Sequence, residues 1–457
     1  MDSSKIVVGL DIGTTKICVL VARKNESGKV EILGSGRADS NGVQRGVVTN
    51  IAQTTESIVE AVKKAEEDVQ RNLKTDAQSA QIKIAEVFVG IAGQHIKSSQ
   101  SHCIRLRNNT DDEIDVTDIR ALVMDMKRVP LEPGHEIIDV IPQSYYVDNE
   151  LAIGTPVGMS GTRLEGNFHI ITGQISAANN IRRCVEKAGL KTRSLFLEPI
   201  ASAAACLSDD ELDGGVCLVD IGGGTTDIAI FHEKVIRHTA IIPIAGKVLT
   251  NDIKNGCMIL ERQAEMLKTK FGSCLPSQER DNDFISIEGL KGRENREISI
   301  KNLAMIIEAR MIEIIGHVYH EIKAVGLEKS LIGGIVLTGG GANIKHLAQF
   351  VRFHTGMHAR IGLPNEHLAK SYVDVANPTF STGVGLVLKG FEEYESEELL
   401  NPKANPNKVQ TVDAEAEEDS TPAEAVKEKK KGSLFSGFGS AFSRFLKDGD
   451  DFEDYSK

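Results

Sequence analysis

The sequence predicts an α/β protein of two duplicated domains, with a small α+β subdomain inserted into the first, a disordered C-terminal linker and a terminal amphipathic helix. The first observation is an internal repeat, because "IVVGLDIGTTKICVLV" at 6–21 returns as "GVCLVDIGGGTTDIAIF" at 215–231. The second is that apolar strand-like runs alternate with helix-period stretches through both halves. The third is a change after residue 391 to a charged, proline-containing composition, which is typical of disordered segments.

The first half begins with β-rich apolar runs separated by a Gly-Thr-Thr turn and by the polar turn "KNESGK". Residues 93–166 are rich in glycine, proline and polar side chains, so they predict an insertion with a fold of its own. The predicted elements are three strands within 5–38, a helix at 51–70, a strand at 84–92, a helix at 117–128 and strands at 136–147 and 167–175.

The second half opens with the repeat, which shares an apolar run, Asp-Ile-Gly, Thr-Thr and a second apolar run, with two extra glycines in the second copy. Asp11 and Asp220 lie 209 residues apart, which indicates that a whole domain was duplicated. Later elements are predicted as helices at 246–270 and 301–325, a strand, glycine turn and helix within 333–351, and an apolar stretch at 381–391.

The predicted domain limits follow from this order. They are 1–84 and 167–210 for the first half, 85–166 for the inserted subdomain, 211–391 for the second half with a smaller subdomain at about 246–330, 392–431 for the linker and 432–457 for the tail.

Composition and charge exclude several classes of protein. The net charge is −12, of which residues 392–457 hold −8, so the body carries only −4 and offers no electrostatic footprint for nucleic acid. The seven cysteines are scattered without a CxxC pair, which predicts reduced, buried thiols. No run of eighteen apolar residues occurs, so neither a transmembrane helix nor a signal peptide is expected.

Three glycine turns carry the chemistry. A phosphate chain is approached by backbone N–H groups that a Cβ would obstruct, so glycine suits such turns. Asp11 and Asp220, each at a strand end, would face Mg²⁺ through its waters, because this ion gives up hydration reluctantly. The third turn, at a helix start, would take the nucleoside side. The candidate phosphate residues are Gly13, Thr14, Thr15 and Lys16 on one side, Gly222, Gly223, Gly224, Thr225 and Thr226 on the other, and Gly339, Gly340 and Gly341 in the third turn.

A simpler interpretation is that these are tight hairpin turns without a ligand. Two copies with Thr-Thr after each, followed by a glycine triplet, favour the phosphate interpretation. The sequence has no GxxxxGK[ST], and no GxGxxG opens a helix after a strand, so P-loop and Rossmann sites have no support.

The motifs resemble those of the actin, heat-shock chaperone and sugar-kinase ATPase superfamily. The first phosphate turn falls at 11–19, a connecting motif "LEPIASAAA" at 197–205, the second phosphate turn at 218–230, an adenosine motif at 335–347 and a second connecting helix near 378–388. Within the superfamily, "VGIAGQHIKS", "HEIIDVIPQSYYVD" and "EGNFHIITG" are similar to segments of the FtsA family of bacterial cell-division proteins.

The resemblance implies an actin-like body of two ribonuclease-H-type domains, with ATP and Mg²⁺ bound between them and at most slow ATPase activity. It also implies filaments of the protein with itself, contact with the C-terminal tail of FtsZ, and attachment of FtsZ to the cytoplasmic face of the inner membrane at the division site. Other divisome proteins are expected as further partners.

Particular residues take roles by the same resemblance. Glu198 stands where superfamily members orient the attacking water, and Glu265 and Lys268 stand where relatives contact adenine and ribose. An exposed i,i+3 helix pair is an equally good interpretation of those two. Arg310 falls in the region that relatives present to the FtsZ tail, although it could also be an ordinary solvated arginine. The resemblance further places Gly246 and Asn343 at the nucleotide.

Two other functions use the same fold. A small-molecule kinase would need a general base aimed at a substrate hydroxyl, and no isolated motif supplies one. A PilM-like pilus-assembly protein shares the small inserted subdomain but is expected to lack the C-terminal extension. A chaperone would need a substrate-binding domain after the body, which 66 residues of linker and helix do not provide.

The tail "GSLFSGFGSAFSRFLKDGD" at 432–450 is amphipathic when drawn as a helix. Its apolar side chains share an arc of about 140°. Helix formation in water is opposed by two glycines, but burial of phenylalanines at a membrane interface would offset that cost. The basic run at 427–431 would add attraction to anionic lipid. Docking on the body or on a protein partner is the competing interpretation. The predicted membrane residues are Leu434, Phe435, Phe438, Phe442, Phe445 and Leu446.

Overall fold

The structure is a computed structural model that describes residues 5–25, 27–73, 83–107, 112–152, 154–289, 294–369 and 375–400. The predicted linker beyond residue 400 and the terminal amphipathic helix lie outside the described residues.

The first half alternates strands and helices as predicted. Its elements are β1 (Ile6–Ile12), β2 (Lys16–Lys24), β3 (Val30–Asp39), β4 (Val43–Gln44), β5 (Val47–Val48), α1 (Ile51–Leu73), β6 (Glu86–Ile91), β7 (Lys97–Leu106), α2 (Val116–Met126), β8 (His135–Val147), β9 (Glu150–Ala152), β10 (Arg163–Gln174), α3 (Ile175–Lys187), β11 (Lys191–Leu197) and α4 (Glu198–Cys206). The three strands predicted within 5–38, the helix at 51–70 and the strand at 84–92 are confirmed.

The second half repeats this plan. Its elements are α5 (Asp209–Gly214), β12 (Val216–Ile221), β13 (Thr226–His232), β14 (Val235–Ile242), α6 (Gly246–Cys257), α7 (Glu261–Phe271), β15 (Phe284–Ile287), β16 (Arg296–Ser299), α8 (Ile300–Val325), β17 (Ile335–Thr338), α9 (Leu347–Thr355), β18 (Ala359–Ile361) and α10 (Ser381–Leu400), with short 3-10 helices at Pro276–Gln278, Gly340–Asn343 and Pro378–Phe380.

The two main sheets show the duplication directly. The first has the order β3-β2-β1-β6-β11 and the second β14-β13-β12-β17-β18. In both, the first three strands form an antiparallel meander and the last two add in parallel. The central strands are buried along nearly their whole length, which explains their continuous apolar runs. Each half has its own hydrophobic core.

The strand register corrects the alignment of the two turns. Ile12 pairs with Ile17 in the first copy and Ile221 with Thr226 in the second, so each pair encloses four residues. The second copy therefore has no extra glycines, and the two Thr-Thr pairs are not equivalent. Thr14 and Thr15 correspond to Gly223 and Gly224, Lys16 corresponds to Thr225, and Cys18 corresponds to Asp227.

The inserted subdomain is a four-stranded sheet, in the order β7-β10-β8-β9, with α2 beside it. Its limits differ from the predicted 85–166 at both ends. Strand β6 pairs with β1 and β11 in the first main sheet, whereas β10 pairs with β7 and β8 and so keeps the insertion running to Gln174. The prediction was wrong here because pairing partners decide sheet membership, and an apolar run does not identify its partner.

One predicted helix and the predicted start of the linker were also wrong in extent. The helix predicted at 246–270 is two helices, because Met258 adopts a left-handed conformation (φ 53°) at the end of α6. The linker predicted from 392 does not begin there, since α10 continues to Leu400. Residues 392–400 are rich in glutamate and leucine, which favour helix, and the first proline after them is Pro402.

All seven cysteines are free; five are buried, whereas Cys103 and Cys257 are partly exposed. Within the described ranges, no helix is both long and apolar enough to cross a membrane.

Candidate functional site

The two glycine turns meet at a cleft between the two halves with a volume of about 360 Å³. This volume lies within the range of small-molecule sites. The predicted site residues that line it are Asp11, Gly13, Thr14, Thr15, Lys16, Glu198, Asp220, Gly222, Gly223, Gly224, Thr225, Gly246, Glu265, Lys268, Gly339, Gly340, Gly341 and Asn343. Thr226 is not among the lining residues, because it begins β13 and its hydroxyl donates to the carbonyl of Ile244 at 2.8 Å.

The first turn brings one cation to the cleft. Asp11, near the end of β1, is buried, and Lys16 begins β2 with its Nζ 3.8 Å from the Asp11 carboxylate. Lys16 also donates to the carbonyl of Thr379 and lies 4.9 Å from the ring centre of Phe380. Burial raises the pKa of Asp11, and the nearby Lys16 opposes that rise.

The second turn fits against the first. A Cβ added to Gly223 would lie 2.4 Å from the Thr15 side chain, and one added to Gly224 would lie 2.4 Å from Thr14 Oγ1. These glycines are therefore required by the opposing turn, whether or not a phosphate approaches them. The turn is closed by a hydrogen bond from the Gly222 N–H to the Thr225 carbonyl, at 2.9 Å.

Asp220 is joined to both connecting helices. Ser202, on α4, donates to its Oδ2 at 2.8 Å, and Thr382, on α10, does so at 3.3 Å. The Ser202 and Thr382 hydroxyls lie 3.0 Å apart. Burial raises the Asp220 pKa, and the Ser202 hydrogen bond lowers it. Gly339 (φ 83°) begins the third turn directly beside this carboxylate, because an added Cβ would lie 2.2 Å from Asp220 Oδ1.

Four acids share the base of the cleft with one lysine. Burial, followed by the charges of Asp11, Asp227 and Asp220, raises the pKa of Glu198 well above its usual value. Burial and then Asp220 raise the pKa of Asp227 to about 8. Thr225 donates to one Asp227 oxygen at 3.1 Å, and the other has no hydrogen-bond partner among the described residues. Such an excess of buried acid suits a bound cation.

Among the described residues, no three His, Cys, Asp or Glu side chains converge to hold a metal directly. The carboxylates fit a hard divalent ion held through water and phosphate oxygens, as expected for Mg²⁺. Asp11 and Asp220 are the cleft acids that could hold such an ion through its waters.

The nucleoside side of the cleft is formed by α6, α7 and the third turn. Lys268 Nζ lies 2.7 Å from Glu265 Oε2, 2.9 Å from Thr250 Oγ1 and 3.1 Å from the Gly246 carbonyl. Glu265 and Lys268 are thus an i,i+3 pair, but one that lies in the cleft wall. Asn343 Nδ2 lies 3.1 Å from Thr379 Oγ1. The third turn opens a 3-10 helix, and α9 begins only at Leu347. Apolar wall is supplied by Leu249, Met311, Ile314 and Ile344.

Sequence reasoning missed Asp227, Ser202, Thr379 and Thr382. Asp227 had a signal, because it is an acid within a buried strand and pairs directly opposite Asp220. Like charges in that position destabilise a sheet, so such a pair indicates a site. The gapped alignment of the turns concealed this pairing. The other three are ordinary hydroxyl residues whose contacts depend on the packing of distant elements.

Arg310 is not among the cleft-lining residues, and it is held in place by a carboxylate. Its Nε and Nη2 donate to Asp252 on α6 at 2.6 and 3.0 Å, and its Nη1 donates to Glu313. The Asp252 hydrogen bonds raise the pKa of the guanidinium. Arg310 is therefore neither free nor fully solvated.

The matched strand orders, the facing turns and the subdomain inserted in the first half define an actin-like protein. A solved PilM-PilN type IV pilus biogenesis complex shares this fold, with a TM-score of 0.61, 15% identity and coverage of 84% of this chain and 98% of that chain.

Sequence comparison gives the family. The model for cell division protein FtsA matches residues 217–385, and that for the SHS2 domain inserted in FtsA matches 93–172. Cell division protein FtsA of Pseudomonas aeruginosa is 38% identical over 395 residues, covering 86% of this chain and 91% of its own length. Cell division protein FtsA of Escherichia coli K12 is 36% identical over 418 residues, covering 89% of this chain and 94% of its own length. The chain belongs to the FtsA family of cell-division proteins.

Proposed function

We propose that this FtsA-family protein binds Mg²⁺ and ATP in the cleft, forms filaments, and attaches FtsZ to the inner face of the cytoplasmic membrane at the division site. Nucleotide binding is proposed from one observation: two glycine turns from the duplicated halves contact each other at a cleft whose base holds four acids and one lysine. Family membership supports the cell-division part.

In this proposal the turns supply backbone N–H groups to the phosphates and Lys16 supplies a charge. Asp11 and Asp220 would hold Mg²⁺ through its waters, and the ion would neutralise part of the phosphate charge. Glu198 would orient a water beside the terminal phosphate. Binding is explained by these groups, whereas fast hydrolysis would require a well-placed base, so we expect slow or negligible turnover.

The test is the affinity of Gly223→Val for a fluorescent ATP analogue with Mg²⁺. The added side chain would meet Thr15 and enter the cleft, so nucleotide binding should be lost. Gly316→Val is the matched control, because Gly316 is exposed on α8 and an added Cβ there meets nothing within 4 Å. Unchanged affinity in Gly223→Val would remove the argument.

The filament, lipid and FtsZ parts are tested together. Purified protein, ATP, anionic liposomes and FtsZ would be viewed by electron microscopy, and we expect membrane-bound filaments of both proteins. The membrane contact is assigned to the tail residues from Leu434 to Leu446, and the FtsZ-tail contact to the surface around Arg310. An Arg310→Glu variant that still recruits FtsZ to liposomes would remove that residue from the proposal.

A further inference from the structure

The inserted subdomain is hydrogen-bonded to strand β14 of the second half. The side chains of Ser98 and Gln143 donate to the β14 carbonyls of Thr239 and Ile236, at 2.9 and 2.7 Å. His169 Nε2 lies 3.1 Å from the Thr239 hydroxyl. These three contacts, which we call the β14 latch, come from β7, β8 and β10, so three of the four inserted strands take part.

Strand β14 connects the latch to the cleft. It leads after Ile242 into α6, whose first residue, Gly246, lines the cleft. The Gly246 N–H donates to the Gly222 carbonyl at 3.1 Å, and the Thr226 hydroxyl donates to the Ile244 carbonyl at 2.8 Å. The strand that receives the latch is thus fixed at its far end to the second glycine turn.

The chain enters the subdomain beside the first turn. Gly93 (φ 117°) lies between β6 and β7 and packs against Gly46 (φ 74°), because a Cβ on Gly46 would lie 2.7 Å from the Gly93 Cα. The Gly46 N–H donates to Thr14 Oγ1 at 3.1 Å. The subdomain is therefore connected to both turns through one intermediate segment each, through Gly46 at its root and through β14 at its sheet.

The latch region is polar and incompletely paired. His169 is 2% exposed, and its Nδ1 has no hydrogen-bond partner among the described residues. His95, two residues after Gly93, is 5% exposed, and neither of its ring nitrogens has a partner there. Buried polar groups without partners destabilise an arrangement, and polar contacts between domains permit relative motion. We therefore expect the latch to need further interactions elsewhere in the protein to keep the subdomain on β14.

We infer that the inserted subdomain is a conformational switch coupled to the cleft, and that the closed latch belongs to the nucleotide-bound arrangement. The turns already touch in the described structure, with no room for a Cβ between Gly224 and Thr14, so this spacing is the closed one. Opening of the cleft would release the latch and separate the subdomain sheet from β14. The inference rests on the proposed nucleotide function, and linkage requires that loss of the latch weakens nucleotide binding.

The first test is a double variant, Ser98→Ala with Gln143→Ala, in the full chain. Its affinity for a fluorescent ATP analogue with Mg²⁺ should fall about fivefold or more. The matched control is Ser99→Ala with Gln100→Ala, which removes the same two side-chain types from exposed positions of β7 and should leave affinity unchanged. Gln143→Ala alone, at a partly exposed site, should give an intermediate loss and guards against misfolding of the pair.

The second test measures the movement. Spin labels would be placed through Leu106→Cys and Phe353→Cys, whose native side chains are 69% and 82% exposed, after Cys103→Ser and Cys257→Ser remove the partly exposed thiols. ATP with Mg²⁺ should narrow the label–label distance distribution in the otherwise unaltered chain. The distribution should stay broad in the latch variant even when nucleotide is saturating.

The outcomes separate the two ideas. Nucleotide binding with no change in the label distance, or a latch variant with unaltered affinity, would overturn the coupling and leave the proposed function intact. No nucleotide binding at all would overturn the proposed function and the coupling together.

Discussion

Gly385 marks the point where α10 crosses α4, and its replacement by alanine tests whether this crossing sets the geometry of the cleft. An added Cβ would lie 1.8 Å from the carbonyl oxygen of Ala201. Ordinary contact begins near 3.4 Å, so the two helices would have to separate by about 1.6 Å. The obstacle is backbone, which cannot move aside by changing rotamer.

The expected change in the free energy of unfolding of Gly385→Ala has two opposing contributions. Overpacking a core costs about 1–3 kcal/mol, and alanine gains about 0.5–1 kcal/mol over glycine in a helix. Because the clash is with backbone, we expect a net loss of about 2 kcal/mol in the free energy of unfolding. Nucleotide affinity should fall as well, since separation of the helices would break the Ser202–Asp220 and Ser202–Thr382 hydrogen bonds.

Unfolding in urea, followed by circular dichroism because the chain has no tryptophan, measures the first effect, and binding of a fluorescent ATP analogue measures the second. Gly383→Ala is the matched control two residues away, where the atoms nearest an added Cβ belong to the Leu20 side chain, at 3.0 and 3.4 Å, rather than to backbone. A Gly385→Ala protein as stable as Gly383→Ala, with unchanged affinity, would refute the reasoning.

Three further predictions follow from other parts of the chain. Burial first, and then His238, lowers the pKa of His169 from 6.5 to about 4, so stability should be lost as pH falls from about 6.5 toward 4. The effect is about 3 kcal/mol, and urea midpoints of His169→Gln should be less sensitive to pH in that window. Phe438→Glu with Phe442→Glu should stay soluble and bind ATP but fail to sediment with anionic liposomes; sedimentation like the unaltered chain would exclude the tail as anchor. Replacing residues 93–174 by a short Gly-Ser linker should leave a monomer that still binds ATP, but more weakly because the latch is lost, whereas filaments of full length in electron micrographs would contradict a role for the subdomain in assembly.

The duplicated body could be predicted because its signals are local. Glycine turns after apolar strands, and helix-period stretches between them, are visible within short windows of sequence. The strand order and the limits of the inserted sheet depend on pairing between distant segments, such as β6 with β1, and no local pattern specifies the partner.

The incorrect predictions and the overlooked site residues have equally specific causes. A methionine does not itself signal a left-handed conformation, and the turn signal of Asn255-Gly256 just before Met258 was missed. The charge of residues 392–400 resembled that of a linker, although glutamate and leucine also favour helix. Most of the cleft was identified because glycines and acids stand out, whereas Ser202 and Thr382 look like any hydroxyl residues until packing brings them to Asp220.

The fit of Thr14 and Thr15 against Gly223 and Gly224 explains why the two halves of the duplicated chain pair with each other. These residues occupy equivalent positions in the two copies, so two identical turns could not face each other: two threonine turns would collide, and two glycine turns would leave a gap. The turn of each half is therefore complementary to the turn of the other half and not to a second copy of itself. Self-association of like halves is thereby disfavoured, and the covalent partner within the same chain becomes the preferred one.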